Sequence, residues 1–230
     1  MSALKVVIIT LQDYPERLPH IRKCIEELSL VGLDCEIFYG VNGKSISIAN
    51  TPMPHLKILE FDGDLKLYDQ RARLNGQEMR RGELGCAWSH YRVYEKLVAD
   101  DAANSYLVLE DDAELTVTTE RLVEYINNIP SGFDICRTTV SHWYPYKKLY
   151  PINPYYFVYE RRFSNSATSY IISKSGAQKL LTFMNNHLNI PADDVLSMLF
   201  MCSSTFISYA SEDSLFVDKR TMRSIIETVG

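Results

Sequence analysis

Three consecutive carboxylates, Glu110-Asp111-Asp112, directly follow the apolar run Tyr106-Leu107-Val108-Leu109. That run is strand-forming, and an unpaired carboxylate inside a buried strand costs several kcal/mol. The strand must therefore end where the acids begin. Ligands of α/β proteins collect at the carboxyl ends of strands, and a set of hard oxygen donors there suits Mg²⁺ or Mn²⁺. The competing reading is a solvated acidic turn leading to a helix, whose N-terminus favours negative charge. Two further polar pairs could do chemistry. Ser89-His90 sits within a helical pattern, where a histidine is often only a satisfied structural residue. Asp193-Asp194 follows Pro191, and acids in the first turn of a helix are explained by capping as well as by catalysis. Asp134 is another acid, read as structural. Cys24, Cys35, Cys86, Cys136 and Cys202 are scattered with no CxxC pair, which argues against a zinc site or a disulfide framework. They read as reduced, partly buried thiols of a cytosolic protein.

The elements that must position these groups follow from periodicity. Leu4 to Thr10 is a β-branched, nearly continuous apolar run, as expected of an interior strand of a parallel sheet. Asp13 and Pro15 signal a helix start, and Leu18, Ile21, Ile25 and Leu28 recur at helical spacing. Asp34 to Tyr39 reads as a second strand ending at Gly40 and the turn Asn42-Gly43. Residues 45–80 predict loops with little regular structure beyond a short strand at 56–59, partly covering the site. Arg81 to Ala99 carries a helical apolar stripe, with Gly82 and Gly85 allowing close approach of a ligand or another backbone. After the acidic strand come a helix over 119–129, a short strand at 133–136, a strand at 167–172, a helix through Leu180 and Met184, and a helix from Asn189. Two short strands, 205–209 and 214–217, precede a polar tail. Between His142 and Phe163 aromatics alternate with Pro145, Pro151 and Pro154. Prolines exclude a regular helix there, leaving a stacking surface for sugar or base or a self-packed loop or hairpin.

With 230 residues, 46% hydrophobic and 23% charged, the chain predicts one globular α/β domain spanning 1–230. A net charge of -5 argues against a nucleic-acid partner. The N-terminus reads as a strand rather than a signal peptide. No apolar run approaches the roughly 18 residues of a membrane span, so the sequence predicts a soluble chain whose membrane contact is at most peripheral.

Several blocks, in order, resemble glycosyltransferase family 25, the lipopolysaccharide galactosyltransferase-like family related to collagen galactosyltransferases. They are Tyr14-Pro15-Glu16-Arg17, Phe38 to Gly43, Gly82-Glu83-Leu84-Gly85-Cys86-Ala87-Trp88-Ser89-His90, Leu109-Glu110-Asp111-Asp112, Ala167 to Ala177, and Ile190-Pro191-Ala192-Asp193. The resemblance implies a GT-A fold, a Rossmann-like α/β/α sandwich with a mostly parallel central sheet. It also implies a UDP-sugar donor, galactose or glucose, and Mn²⁺ or Mg²⁺ bridging an acidic motif to the diphosphate.

Under that resemblance Asp112 is the first metal ligand and Glu110 the second. Alternate residues of an extended segment point the same way, so Asp111 turns toward a supporting partner. Asp193 is the base of an inverting transfer, with Asp194 the neighbour that blurs the assignment. Thr10, Leu11, Arg17, Gly40 and Val41 line the nucleotide end, while Gly85, Ser89, His90 and Asp111 orient the donor or brace the acidic loop. Many such enzymes take a late histidine as a further ligand. The last one here is His187, so Glu212 or Asp213, or phosphate and water, would stand in. The expected acceptor is a saccharide, lipid-linked glycan or glycoprotein. Bacterial surface polysaccharide synthesis in the cytoplasm, at the inner face of the membrane, is the default setting. Two alternatives stand beside this reading: a noncatalytic relative that binds a nucleotide-sugar or glycan, and a metal-dependent phosphohydrolase.

Overall fold

The computed structural model describes residues 4–46, 57–61, 64–68, 79–140, 145–163, 166–184 and 190–219. Strand β1 (Leu4–Thr10) is buried from Val6 onward. A 3-10 turn at Pro15–Arg17 leads into α1 (Leu18–Leu30), which buries Ile21 and Leu28. Parallel to β1 runs β2 (Asp34–Tyr39). A hairpin of β3 (Lys57–Phe61) and β4 (Asp64–Tyr68) forms a small separate sheet. This is more regular structure than the loops expected of residues 45–80, most of which lie outside the described residues.

Helix α2 (Arg81–Ala99) has the span that its apolar stripe predicts. The Glu83 carboxylate accepts from the Arg80 N–H at 2.8 Å and satisfies one of its first-turn donors. Strand β5 (Ser105–Glu110) carries the first of the three acids as its last residue, paired in parallel with Ile9 of β1. Then come β6 (Ala113–Leu115), α3 (Thr119–Asn127) and β7 (Ile135–Arg137). The aromatic stretch resolves into a hairpin of β8 (Lys148–Pro151) and β9 (Tyr156–Tyr159), with Tyr156 and Tyr159 in the core. Its prolines lie in the edge strand or outside strands, where a missing N–H costs little. His142, Trp143 and Tyr144 lie outside the described residues. The chain continues through β10 (Ser169–Ser173), α4 (Lys174–Met184), α5 (Ala192–Cys202), β11 (Ser208–Ser211) and β12 (Phe216–Asp218).

Eight strands form the main sheet in the order β2-β1-β5-β10-β7-β11-β9-β8. The sheet is mixed, which corrects the expectation of a mostly parallel one. β1–β2, β1–β5 and β7–β11 are parallel, whereas β10 runs antiparallel to both neighbours, and the β8–β9 hairpin adds antiparallel partners at the edge. A hairpin can only pair antiparallel. β10 is buried on both faces, so its residues read like those of a parallel strand whatever its direction.

Alternation along the strands divides the core into two layers. Val7, Ile9, Val108, Tyr170 and Ile172 pack with α2, α4 and α5. Val6, Ile8, Leu107, Leu109 and Ile171 pack with α1 and α3 on the other face. The result is an α/β/α sandwich. Because β10 is antiparallel to both β5 and β7, those two strands run the same way. The carboxyl ends of β1, β2, β5, β7 and β11 therefore meet at one end of the sheet.

Candidate active site at the carboxyl ends of the strands

The acidic segment is fixed from both sides through its backbone. The Glu110 N–H donates to the Thr168 carbonyl at 2.9 Å, and the Lys219 N–H donates to the Asp112 carbonyl at 2.8 Å. Strand β12 supplies the second clamp, pairing with β6 so that Asp218 faces Ala113. The three side chains part company. Asp111 is buried and accepts from the Thr10 hydroxyl at 2.7 Å, with the Arg17 guanidinium 3.9 Å away. Burial raises its carboxyl above the ordinary range, and the Thr10 bond and the Arg17 charge oppose that rise. Glu110 turns to α2 instead. Its Oε1 lies 3.5 Å from Cys86 Sγ and 3.4 Å from His90 Nε2. Those three ligand atoms lie within 4.8 Å of one another, a group that could hold a metal ion.

Asp112 is the least compensated of the three. Its Oδ1 is buried with no hydrogen-bond partner among the described residues. Burial, reinforced by the charges of Glu110 and Asp111, pushes its carboxyl up to about 7. Asp218 adds to that rise, and is the late-chain acid whose charge reaches the site. The two acids that the sequence offered for a late ligand are engaged elsewhere. Asp213 accepts from the Tyr125 hydroxyl at 2.8 Å and pairs with Arg121, and Glu212 pairs with Lys148. His187 lies outside the described residues.

Asp193 approaches from α5, two residues after Pro191. It lies in the first turn beside Asp194, whose N–H donates to Asp193 Oδ1 at 3.0 Å. Burial and the negative charge of Glu110 raise the Asp193 carboxyl, and the buried Arg137 opposes them. Asp194 is pushed up to about 7 by burial and then by the charges of Asp193 and Glu83. Burial, with the negative charges of Glu110, Asp193 and Asp112, holds the Cys86 thiol well above its usual value. Cys86 thus lies among acids drawn from two elements. Cys86 and His90 were legible as neighbours, since an i, i+4 spacing puts both on one face of a helix; the reading of the cysteines as scattered thiols missed it.

The remaining candidates form a joint between α2 and the loop after β2. The Ser89 hydroxyl accepts from the Val41 N–H at 2.8 Å and donates to the Gly85 carbonyl at 2.6 Å. A Cβ at Gly85 would lie 2.7 Å from both Gly43 N and Val41 O, and one at Gly40 would lie 2.5 Å from Ser89 Oγ. The close approach that Gly85 permits is thus to another backbone. Asn42 ties this loop to the one after β1, its amide donating to Asp13 at 2.7 Å. The Leu11 carbonyl accepts from the Tyr14 N–H at 3.1 Å, closing the turn that carries Arg17 toward Asp111. Asp134 lies apart from this end, buried under α4. It accepts from Ser175, Lys179 and the Ile207 N–H and serves as a structural tie.

Residues 3–196 match the model of glycosyltransferase family 25 (LPS biosynthesis protein). Among curated proteins the chain is 27% identical over 173 residues to procollagen galactosyltransferase 1 of Danio rerio, covering 72% of this chain and 27% of that one. It is 27% identical over 208 residues to a glycosyltransferase 25 family member of Aedes aegypti, covering 87% of this chain and 31% of the relative. A probable inactive glycosyltransferase 25 family member 3 of Rattus norvegicus is 24% identical over 200 residues, at 85% and 33% coverage. The chain spans about a third of the length of these relatives. No helix among the described residues is long and apolar enough to cross a membrane.

Proposed function

Because the chain belongs to glycosyltransferase family 25, we propose that it moves a hexose, galactose or glucose, from a UDP-sugar to a hydroxyl of a saccharide, lipid-linked glycan or glycoprotein acceptor. In this reading residues 1–230 are a single GT-A domain, and the transfer inverts the anomeric centre. The observation that carries it is the buried, unpartnered Oδ1 of Asp112 beside Glu110 at the mouth of β5. A buried carboxylate without a partner is costly, and a cation that needs oxygen ligands would remove that cost. The donor set therefore fits Mn²⁺ or Mg²⁺ held by Asp112 and Glu110. When bound, the ion supplies Lewis-acid stabilisation of the departing diphosphate.

The chain's own residues would do the rest. Asp193 accepts the proton of the acceptor hydroxyl as its oxygen bonds to the anomeric carbon, while the bond from that carbon to the diphosphate oxygen breaks. Its raised proton affinity suits a group that must take a proton near neutral pH. Asp111, tied to Thr10 and Arg17, holds the acidic turn in place between Glu110 and Asp112. Ser89, Gly40, Val41 and Gly85 fix the floor on which the nucleotide would rest, and His90 keeps Glu110 oriented.

Purified protein incubated with a panel of nucleotide sugars, with Mn²⁺ or with EDTA, tests this by UDP release. Release is expected with one UDP-hexose, and is expected to vanish in EDTA and in Asp112→Ala. Asp193→Asn should abolish transfer while keeping UDP affinity within about twofold; transfer at the wild-type rate would remove Asp193 from the role of base. Tight donor binding with no turnover on any acceptor would instead favour a noncatalytic member, a class represented by name in the probable inactive glycosyltransferase 25 family member 3 of Rattus norvegicus.

A further inference from the structure

The cluster that meets Glu110 from α2 has a different chemistry from the oxygen pair of Glu110 and Asp112. It offers a thiol, an imidazole nitrogen and one carboxylate oxygen. Hard ions such as Mg²⁺ and Mn²⁺ disfavour sulfur, whereas Zn²⁺ takes sulfur, nitrogen and oxygen together. We propose that Cys86 Sγ, His90 Nε2 and Glu110 Oε1 form a zinc site with one open position, and that zinc there competes for Glu110 with the hard cation.

Three observations support it. First, both separations to the shared oxygen fit, and the third, between sulfur and nitrogen, lies within 4.8 Å. With zinc about 2.3 Å from sulfur and ~2.0 Å from nitrogen and oxygen, tetrahedral angles place sulfur and oxygen about 3.5 Å apart and nitrogen and oxygen ~3.3 Å apart. The separations found are 3.5 Å and 3.4 Å. Second, the imidazole is held as a zinc ligand is held. His90 Nδ1 lies 2.6 Å from the Tyr170 hydroxyl, which lies 3.0 Å from the Tyr94 hydroxyl, and all three residues are buried. A ligating histidine characteristically commits its other nitrogen in this way. Third, Cys86 and His90 stand one turn apart on α2, an element rigid enough to keep their separation without the ion. The Glu110 side chain remains 28% exposed, so solvent reaches the cluster on that side. On binding, the thiol proton leaves to solvent and no redox change occurs. The zinc site stands on this geometry alone; only its effect on transfer rests on the function proposed above.

The test uses the purified chain and Co²⁺ as a spectroscopic stand-in for zinc. One equivalent of Co²⁺ should give a thiolate-to-cobalt charge-transfer band, displaced by one equivalent of Zn²⁺ and not by a large excess of Mg²⁺. Cys86→Ser should abolish the band, and Cys202→Ser, at the exposed cysteine, should leave it unchanged. Tyr170→Phe keeps all three ligands and should weaken zinc binding by about tenfold or more. It serves as the deciding variant if Cys86→Ser fails to fold. No sulfur band in the wild type, a band that survives Cys86→Ser, or unchanged affinity in Tyr170→Phe would overturn the site whether or not transfer is found. In Mn²⁺-supported transfer, zinc should inhibit the wild type; insensitivity of an active, zinc-loaded enzyme would overturn the competition for Glu110 and leave the transferase reading standing.

Discussion

Asp112→Asn removes a charge while nearly preserving shape, and its effect on stability can be worked from the site. The Asp112 carboxyl rises from an ordinary 3.8 to about 7, first through burial and then through the charges of Glu110 and Asp111. Each tenfold change in proton affinity is worth about 1.4 kcal/mol, so the rise corresponds to ~4 kcal/mol. Partial solvent access and relaxation reduce this to about 2–4 kcal/mol. The sign is opposite to that of a salt-bridged aspartate. Between 3.8 and about 7 the folded chain keeps a proton that the unfolded chain releases. Stability therefore falls as pH rises through that window, and this group costs nothing further above it. Without metal, the variant should match the wild type near pH ~4 and exceed it by about 2–4 kcal/mol near pH ~8. Urea unfolding in EDTA, followed by circular dichroism at both pH values, measures the difference. Adding Mn²⁺ should close most of that gap. A ligand at a hundred times its dissociation constant stabilises by about 2.7 kcal/mol, a gain open to the wild type and lost in the variant. A variant no more stable than the wild type near pH ~8, or an equal gain from Mn²⁺ in both, would refute the account of Asp112 as a carboxylate buried for want of a cation.

Gly85→Ala places a Cβ 2.7 Å from Gly43 N and Val41 O. It should cost about 1–3 kcal/mol and raise the donor KM more than it lowers kcat; a shift in kcat alone would contradict the view of this joint as the nucleotide floor. Lys179→Met takes the charged partner, 2.6 Å away, from the buried Asp134. Thermal unfolding should report a loss of about 3 kcal/mol, with donor affinity unchanged because this tie lies away from the acidic end. The rate of transfer should rise with pH through a midpoint above the ordinary carboxylate range, since burial and Glu110 raise the Asp193 carboxyl and a base must be deprotonated to act. A flat profile from acid to neutral pH would exclude Asp193 as the titrating group.

What could be read from the sequence was what is local. Leu4–Thr10 and Arg81–Ala99 have the boundaries that their own residues predict, because burial and period act within a few residues. Strand direction is not local. Nothing in Ser169 to Ser173 distinguishes a strand antiparallel to β5 from a parallel one, since both are buried on two faces. The aromatic stretch left a stacking loop and a self-packed loop or hairpin open. The hairpin is what forms, because a pairing partner at the sheet edge lets Tyr156 and Tyr159 enter the core.

The site divides along the same line. Three acids at a strand mouth pointed to an oxygen-bound cation, because hard donors in sequence suffice to suggest one. The thiol and imidazole beside Glu110 come from a residue 24 positions away and another 20 away. Only the packing of α2 on β5 makes the three a set. That packing in turn depends on Gly85 and Ser89, which bring the start of α2 against the loop of Val41 and Gly43. The joint proposed as the nucleotide floor therefore also sets the distance from Cys86 to Glu110. If it does, Gly85→Ala should weaken cobalt binding at Cys86 as well as donor binding, whereas two independent sites would separate the effects.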